Sequence, residues 1–230
     1  MTTYQKDDVL LRVADITYRY SPKSEEVPAL SNIQFDINQA ELISIVGQSG
    51  SGKSTLLSIL GGLLKPTSGE LLYKGTNIYK WNDTQLSAHR NQNVGFVFQN
   101  YFLDPMFSAI ENVQLPLYVN RNMTKSELFL KAKSALVSVG LEHRLNHRPS
   151  EMSGGECQRV AIARAIVNDP EIVFADEPTG NLDSKNGGLI IDLLSQFKQA
   201  NKTVVIVTHN LDQAKQCDRM IRLLDGRIVQ

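Results

Sequence analysis

The sequence predicts an α/β protein with a mainly parallel core sheet, an antiparallel β edge and a helical insert, and three observations predict it. A glycine-rich segment, Gly47-Gln-Ser-Gly-Ser-Gly-Lys-Ser54, stands between a short apolar run and a helical pattern, the order strand, loop, helix. Two continuous apolar runs, Ile172 to Ala175 and Val204 to Val207, flank a helical pattern at Leu189 to Phe197. Uninterrupted runs of this length suit strands buried on both faces of a parallel sheet. From Asn100 to about residue 165 the pattern changes, with Pro105, Pro116 and Pro149 punctuating helical stretches.

Taken in order, Val13, Ile16, Tyr18 and Tyr20, then Ile33, Phe35 and Ile37, alternate around the polar stretch SPKSEEVP. Period-two patterns on either side of a polar connection suggest two strands of an antiparallel edge. Leu42 to Val46 is the strand that feeds the glycine loop, and Leu56, Leu57, Ile59, Leu60 and Leu63 follow at helical spacing. Leu71 to Tyr73 and Val94 to Phe98 read as further strands, with turns at Pro66, Gly69 and Gly75. Helical patterns at Ile110 to Leu117 and Leu128 to Val139 make up the insert, and Asp225-Gly226 closes the chain in a hairpin. Residues 1–230 are thus expected to form a single domain: about 1–99 and 166–230 as the core with its β edge, about 100–165 as a helical subdomain.

Composition narrows the function classes. Lys plus Arg and Asp plus Glu both number 24, so no basic excess marks a nucleic-acid footprint, and no nucleic-acid partner is expected. Any anion site must be local. With 42% hydrophobic and 21% charged residues the chain is expected to fold. Its longest apolar stretch, Leu56 to Leu64, is broken by Ser58, Gly61 and Gly62, whereas a membrane span needs about 20 apolar residues. The amino terminus, MTTYQKDDVLLRV, has no signal-peptide core, and the chain is expected in the cytosol. Cys157 and Cys217 have no metal-ligand spacing and are expected to be free thiols.

The glycine segment fits G-x-x-x-x-G-K-[ST] in the required context, and it specifies a phosphate loop. Backbone N–H groups of Gly47, Ser49, Gly50, Ser51 and Gly52 can turn inward around an anion, and the helix beginning at Lys53, Ser54 and Thr55 adds its positive end. Lys53 should reach the β- and γ-phosphates of ATP, and the Ser54 hydroxyl should coordinate Mg²⁺. The run Ile172-Val-Phe-Ala-Asp176-Glu177 ends an apolar strand in two acids, the Walker B pattern of a phosphate-loop protein. Asp176 would hold the metal shell and Glu177 would accept a proton from the attacking water. The bland alternative is a pair of solvated acids capping a strand.

A phosphate loop and an acidic strand end would also suit a kinase, a helicase or a small GTPase. The insert decides between them: Ser153-Gly154-Gly155-Glu156-Cys-Gln-Arg159 resembles the signature sequence of ABC-transporter ATPases. Other elements match in order. Gln99 looks like the Q-loop glutamine, Asn181-Leu-Asp183 like the D-loop and His209 like the switch histidine. Tyr20, ending the first strand, looks like the aromatic that stacks on adenine, with Tyr18 on the same face as its rival. Asn181 and Asp183 alone would also pass for turn residues. The resemblance implies a P-loop NTPase of ABC type, with ATP and Mg²⁺ as its ligands. It implies Glu177, His209 and Gln99 as catalytic groups, Gln99 also near the metal, and Ser153, Gly154, Gly155 and Asp183 as contacts to nucleotide.

In that family the signature acts on the partner's ATP, so the resemblance implies a head-to-tail homodimer sandwiching two nucleotides. It also implies integral membrane permease subunits contacted through the helical subdomain, and so a place on the cytoplasmic face of the membrane. Met152, Glu156 and Cys157 depart from the commoner Leu, Gln and Gln, which bears on rate. The phrases FVFQNYFLDPMFSAIENVQLPL and ADEPTGNLDSKNG resemble the branch serving lipoprotein release, macrolide export and antimicrobial-peptide export. The chain ending soon after Asp225-Gly226 favours an export-type or mechanotransmission role over an importer with a regulatory domain. The alternative within this resemblance is an ATPase that pulls on an FtsX-like membrane partner without moving a substrate. The chain between Ser54 and Ser153 has no sustained heptads, against the coiled-coil ATPases of chromosome machines.

Overall fold

The computed structural model describes residues 9–21, 27–120 and 122–229. The first eight residues and most of SPKSEEVP lie outside these. Two sheets organise the chain. The larger has six strands in the order β10-β9-β3-β8-β7-β6, built from β3 (Leu42–Val46), β6 (Val94–Phe98), β7 (Ile172–Asp176), β8 (Thr203–Thr208), β9 (Arg219–Leu224) and β10 (Arg227–Val229). Every pairing is parallel except the β9–β10 hairpin. The smaller sheet is antiparallel, ordered β2-β1-β4-β5, from β1 (Val9–Tyr18), β2 (Leu30–Asn38), β4 (Ser68–Tyr73) and β5 (Thr76–Asn77). The antiparallel strands therefore form their own layer and do not extend the edge of the core sheet.

The continuous apolar runs have a simple cause. Along β7, Ile172 and Phe174 enter one core cluster while Val173 and Ala175 enter the other, and Val205 and Val207 alternate with Val204 and Ile206 in β8. One cluster lies between the two sheets and contains Leu56, Leu57, Ile59 and Leu60 of helix α1 (Lys53–Leu60). The other packs α3 (Ala109–Gln114), α4 (Lys125–Ser138), α5 (Gly154–Ile166) and α6 (Ser184–Gln199) against the opposite face. Burial on both faces leaves these strands no polar side, so the period of two is hidden in the sequence but kept in space. The helix after the glycine loop is thereby wedged between layers, which fixes its N-terminus relative to the strand ends.

Several sequence readings shift by a few residues. Helix α1 stops at Leu60, where the C-cap Gly61 packs against the Phe96 ring and Gly62 turns the chain out at φ 69°, and Leu63 falls beyond the helix, half exposed. Strand β1 ends at Tyr18, so Tyr20 belongs to the loop that follows. Helix α2 (Asp83–Asn93) has no counterpart in the apolar pattern, since only His89 is buried along it; a capping box between Asn82 and Gln85 starts it. A four-residue helix, α7 (Leu211–Ala214), follows β8 and is likewise too brief to leave a periodic signal. The hairpin turn has Asp225 and Gly226 both at positive φ, 45° and 72°, the two-residue geometry that matches strand twist. Cys157 is buried, Cys217 partly so, and both are free thiols.

The two sheets are tied at the start of β3. Glu41 is 2% exposed and accepts from Arg219 Nε at 2.8 Å and Nη2 at 3.1 Å, while the Asn38 backbone N–H donates to the same carboxylate at 2.9 Å. With the Asn38 side-chain amide at 3.2 Å, four donors on one buried carboxylate offset its desolvation.

Candidate active site

The glycine loop runs from the buried end of β3 to α1, and its conformation demands glycine at specific points. Gly52 is the helix N-cap at φ 99°, and Gly50 stands at φ 79°, both in the left-handed region that L side chains avoid. Without a side-chain cap on α1, the first-turn N–H groups remain directed at the loop interior, and no acid in that turn opposes an anion there. Lys53 is 7% exposed, and its Nζ donates to Gly47 O at 2.9 Å and Gln48 O at 2.8 Å. The ammonium thus sits over the loop with its stem buried. The β9–β10 turn braces the loop from outside, through Gly226 N–H to Ser51 O at 3.1 Å.

The other polar groups arrive from neighbouring strand ends. Asp176 closes β7, and its Oδ1 is buried without a hydrogen-bond partner. Burial, then the adjacent Glu177 charge, push the Asp176 carboxyl above its ordinary pKa, against a hydrogen bond from Ser54 and the charge of Lys53. Glu177 sits at φ 46°, its backbone N–H bonded to Val207 O at 2.9 Å. Its side chain meets His209, which follows β8, with Nδ1 and Oε2 2.5 Å apart. Gln99 follows β6, and the Asn181 amide donates to the Gln99 backbone O at 3.1 Å. Gly180 lies so close to the Gln99 amide that a Cβ would stand 2.6 Å from its Nε2.

These groups enclose one cavity of about 620 Å³ at the C-terminal edge of the parallel strands, the place where open α/β sheets take ligands. Its walls are Ser49, Gly50, Gly52, Lys53, Ser54 and Thr55 from the loop and α1, with Gln99, Asp176, Glu177 and His209 opposite. Tyr20 and Ala29 form the remaining side. Tyr20 is 73% exposed, its hydroxyl 2.7 Å from Thr55 Oγ1 and its ring edge-on to Tyr18 at 5.1 Å. Of the two tyrosines, only Tyr20 reaches the cavity.

Six of the residues singled out in the sequence do not line it. Gly47 and Ser51 are structural members of the loop: a Cβ on Gly47 would run into the Leu223 carbonyl, and Ser51 is buried with its Oγ against Gly47. Ser153, Gly154 and Gly155 begin α5, outside the cavity. Asp183 is the N-cap of α6, accepting from Asn186 N–H at 3.0 Å and from its side-chain amide at 2.6 Å. Two arginines belong to no motif of the sequence. Arg164 of α5 donates to the Tyr101 and Phe102 carbonyls at 2.6 and 2.5 Å, holding two successive left-handed residues just after Gln99. A lone cation inside the apolar run Val160-Ala-Ile-Ala-Arg-Ala-Ile was the available signal. Arg144 pairs with Glu156, for which the sequence holds no local sign.

The donor set suits Mg²⁺ with nucleotide. Among the described residues no group of three or more His, Cys, Asp or Glu assembles. A single unpartnered Asp176 oxygen beside a serine hydroxyl is what a cation that takes its other ligands from phosphates and water requires.

The model of the ABC transporter family matches residues 30–180. The fold is also similar to two structures of the ATP-binding cassette MJ0796. One, a dimeric post-hydrolysis state bound to ADP and Pi, has 41% identity and a TM-score of 0.88 over 96% of this chain and 97% of that one. The other, described as a dimeric bacterial ABC transporter cassette, has 42% identity with the same TM-score and coverage. The cbiO1 protein from Clostridium perfringens, part of the transporter complex cbiONQ, is 31% identical with a TM-score of 0.86, over 97% of this chain and 88% of its own. The chain belongs to the ABC transporter family. It is an ABC-type ATPase with the P-loop fold of the nucleotide-binding cassette.

Proposed function

We propose that two copies of this chain close head-to-tail on two ATP molecules, hydrolyse them and pass the movement to integral membrane permease subunits. The observation that carries this reading is a division within one chain. Phosphate loop, Asp176, Glu177, His209 and Gln99 share a cavity, whereas the serine and two glycines that open α5 form a separate anion-type helix start outside it. A second chain in reversed orientation would bring that helix start to the first chain's γ-phosphate.

In such a site Lys53 would meet the β- and γ-phosphates and Tyr20 the adenine. Ser54, Asp176 and Gln99 would hold Mg²⁺, which when bound would offset charge on the phosphates. Glu177 would accept a proton from water as the water oxygen attacks the γ-phosphorus and the bond to the bridging oxygen of ADP breaks. His209 Nδ1 meets Glu177 Oε2, which leaves Nε2 as the ring nitrogen that would donate to the γ-phosphate.

A groove of about 630 Å³ supports the permease partner. It lies between the outer strand β6 and the insert, with Leu63, Phe96, Phe98, Phe102 and Val119 on its walls. Phe102 and Val119 are 63% and 64% exposed. Arg164 reaches from this groove to the backbone beside Gln99, a short mechanical path between groove and cavity. Among the described residues no helix is long and apolar enough to cross a membrane, and we place the chain on the cytoplasmic face, held by that partner. The cargo we assign, from the branch phrases, is a lipoprotein, a macrolide or an antimicrobial peptide.

The test is co-expression with a candidate integral membrane permease from a neighbouring reading frame. The wild-type chain should sediment with membranes, and Val119→Asp should remain in the supernatant while its ATPase rate in solution stays within about twofold of wild type. A Val119→Asp chain that sediments normally would remove the groove from the interface.

A further inference from the structure

The start of α5 contains a charge that an anion site should not tolerate. Glu156, the third residue of that helix, is ionised well below the ordinary carboxylate range, at about 2, chiefly because it accepts from the Ser153 backbone N–H. Its Oε2 takes that N–H at 2.8 Å and the Ser153 hydroxyl at 3.0 Å, while its own backbone N–H returns to Ser153 Oγ at 3.3 Å. The hydroxyl that would donate to a partner's γ-phosphate is therefore donating to a carboxylate of its own helix. On the other side, Arg144 Nε meets Glu156 Oε1 at 2.8 Å, with side chains 32% and 13% exposed. Arg144 comes from the short helical turn Glu142–Arg144 after α4, so the pair also ties two parts of the insert.

We infer that Arg144 is a positioning residue for the nucleotide held by the partner chain, neutralising Glu156 so that Ser153 can turn its hydroxyl to the γ-phosphate. The inference rests on the head-to-tail arrangement proposed above. When the hydroxyl turns away, Oε2 keeps the Ser153 N–H and Oε1 keeps Arg144, so the carboxylate remains satisfied and its charge compensated. Without Arg144, a bare carboxylate stands a few ångströms from an incoming triphosphate. It also holds the serine hydroxyl more tightly, since one of its oxygens has lost a charged donor. A glutamine at this position could make the same cap without charge and would have no use for Arg144.

The experiment measures the ATP concentration for half-maximal dimer formation by light scattering, with every chain carrying Glu177→Gln to prevent turnover. ATP affinity of the chain's own phosphate loop is measured by calorimetry on dilute monomer. Arg144→Met keeps the apolar stem and should raise the half-maximal ATP about tenfold, with own-loop affinity unchanged. Adding Glu156→Gln should restore it to within about twofold of the reference. A merely structural arginine would not be rescued by removing a charge elsewhere. An Arg144→Met chain that dimerises like the reference, or a defect that persists with Glu156→Gln, overturns the inference while leaving the sandwich intact. A reference chain that never dimerises with ATP overturns the sandwich and the inference with it. If Arg144→Met does not fold, Arg144→Gln takes its place with the same expectation, and unfolding of both that Glu156→Gln does not cure also overturns it.

Discussion

Replacing Glu177 by glutamine should reduce ATP hydrolysis by about 10²-fold or more and leave ATP binding in place. The geometry explains the separation. Glu177 stands at a left-handed φ with its N–H bonded to Val207 O, and its carboxylate meets His209 Nδ1 without any contribution from ligand. Glutamine fits the same space and can still bond His209, but it carries no basic oxygen to take a proton from water. The phosphate loop, on the other side of the cavity, is unaltered. ATP should then accumulate with its γ-phosphate uncleaved, and the chain should run as a dimer on a sizing column with ATP and as a monomer with ADP. Single-turnover kinetics and elution volume check the two halves. Turnover near the wild-type rate would remove Glu177 from the role of base.

Lys53→Ala should lower ATP affinity by about 10²-fold, read by calorimetry. The side chain is buried to its tip and donates to two loop carbonyls, so it contributes both to loop shape and to charge at the phosphates. A charge-assisted hydrogen bond contributes about 1.5–3 kcal/mol, and the upper end of that range is about a factor of 10². Among the described residues the cavity wall holds no other lysine or arginine, and Asp176 and Glu177 are the formal charges opposite Lys53. Loss of the one ammonium therefore leaves two acids facing the triphosphate. Unchanged affinity would mean that the backbone N–H groups and helix end suffice.

The parts of this site written as contiguous segments were legible because their chemistry needs contiguity. A loop that surrounds an anion with its own N–H groups must be a single run, and Gly47 to Ser54 is one. Asp176 and Glu177 could be placed because a doubly buried strand has to end at the sheet edge. What the sequence could not reveal depends on neighbours far along the chain. Gly47 and Ser51 read as members of the phosphate loop, but that Leu223 and the turn at Gly226 pack against that loop has no sign in the sequence. Tyr18 and Tyr20 share a parity, and only the end of β1 at Tyr18 separates the core ring from the cavity ring. Helix α2 is nearly all polar because it covers the protein edge with one buried residue, so hydrophobic spacing could not report it. The Arg144–Glu156 and Arg164–Phe102 contacts join segments that sequence order keeps apart.

The central claim is that each complete site is made from two chains, and mixing two inactive chains tests it most directly. Ser153→Arg puts a bulky cation where a small hydroxyl should meet the partner's γ-phosphate, while Lys53→Ala disables the other component. In a mixed dimer one site carries both defects, and the other combines an unaltered phosphate loop with an unaltered signature. Each variant alone should be inactive. Equimolar mixing should restore about a quarter of the wild-type ATPase rate, because half of randomly paired dimers are mixed and each has one intact site of two. No ATPase at any mixing ratio, with mixed dimers demonstrated by differential tagging, would contradict the composite site.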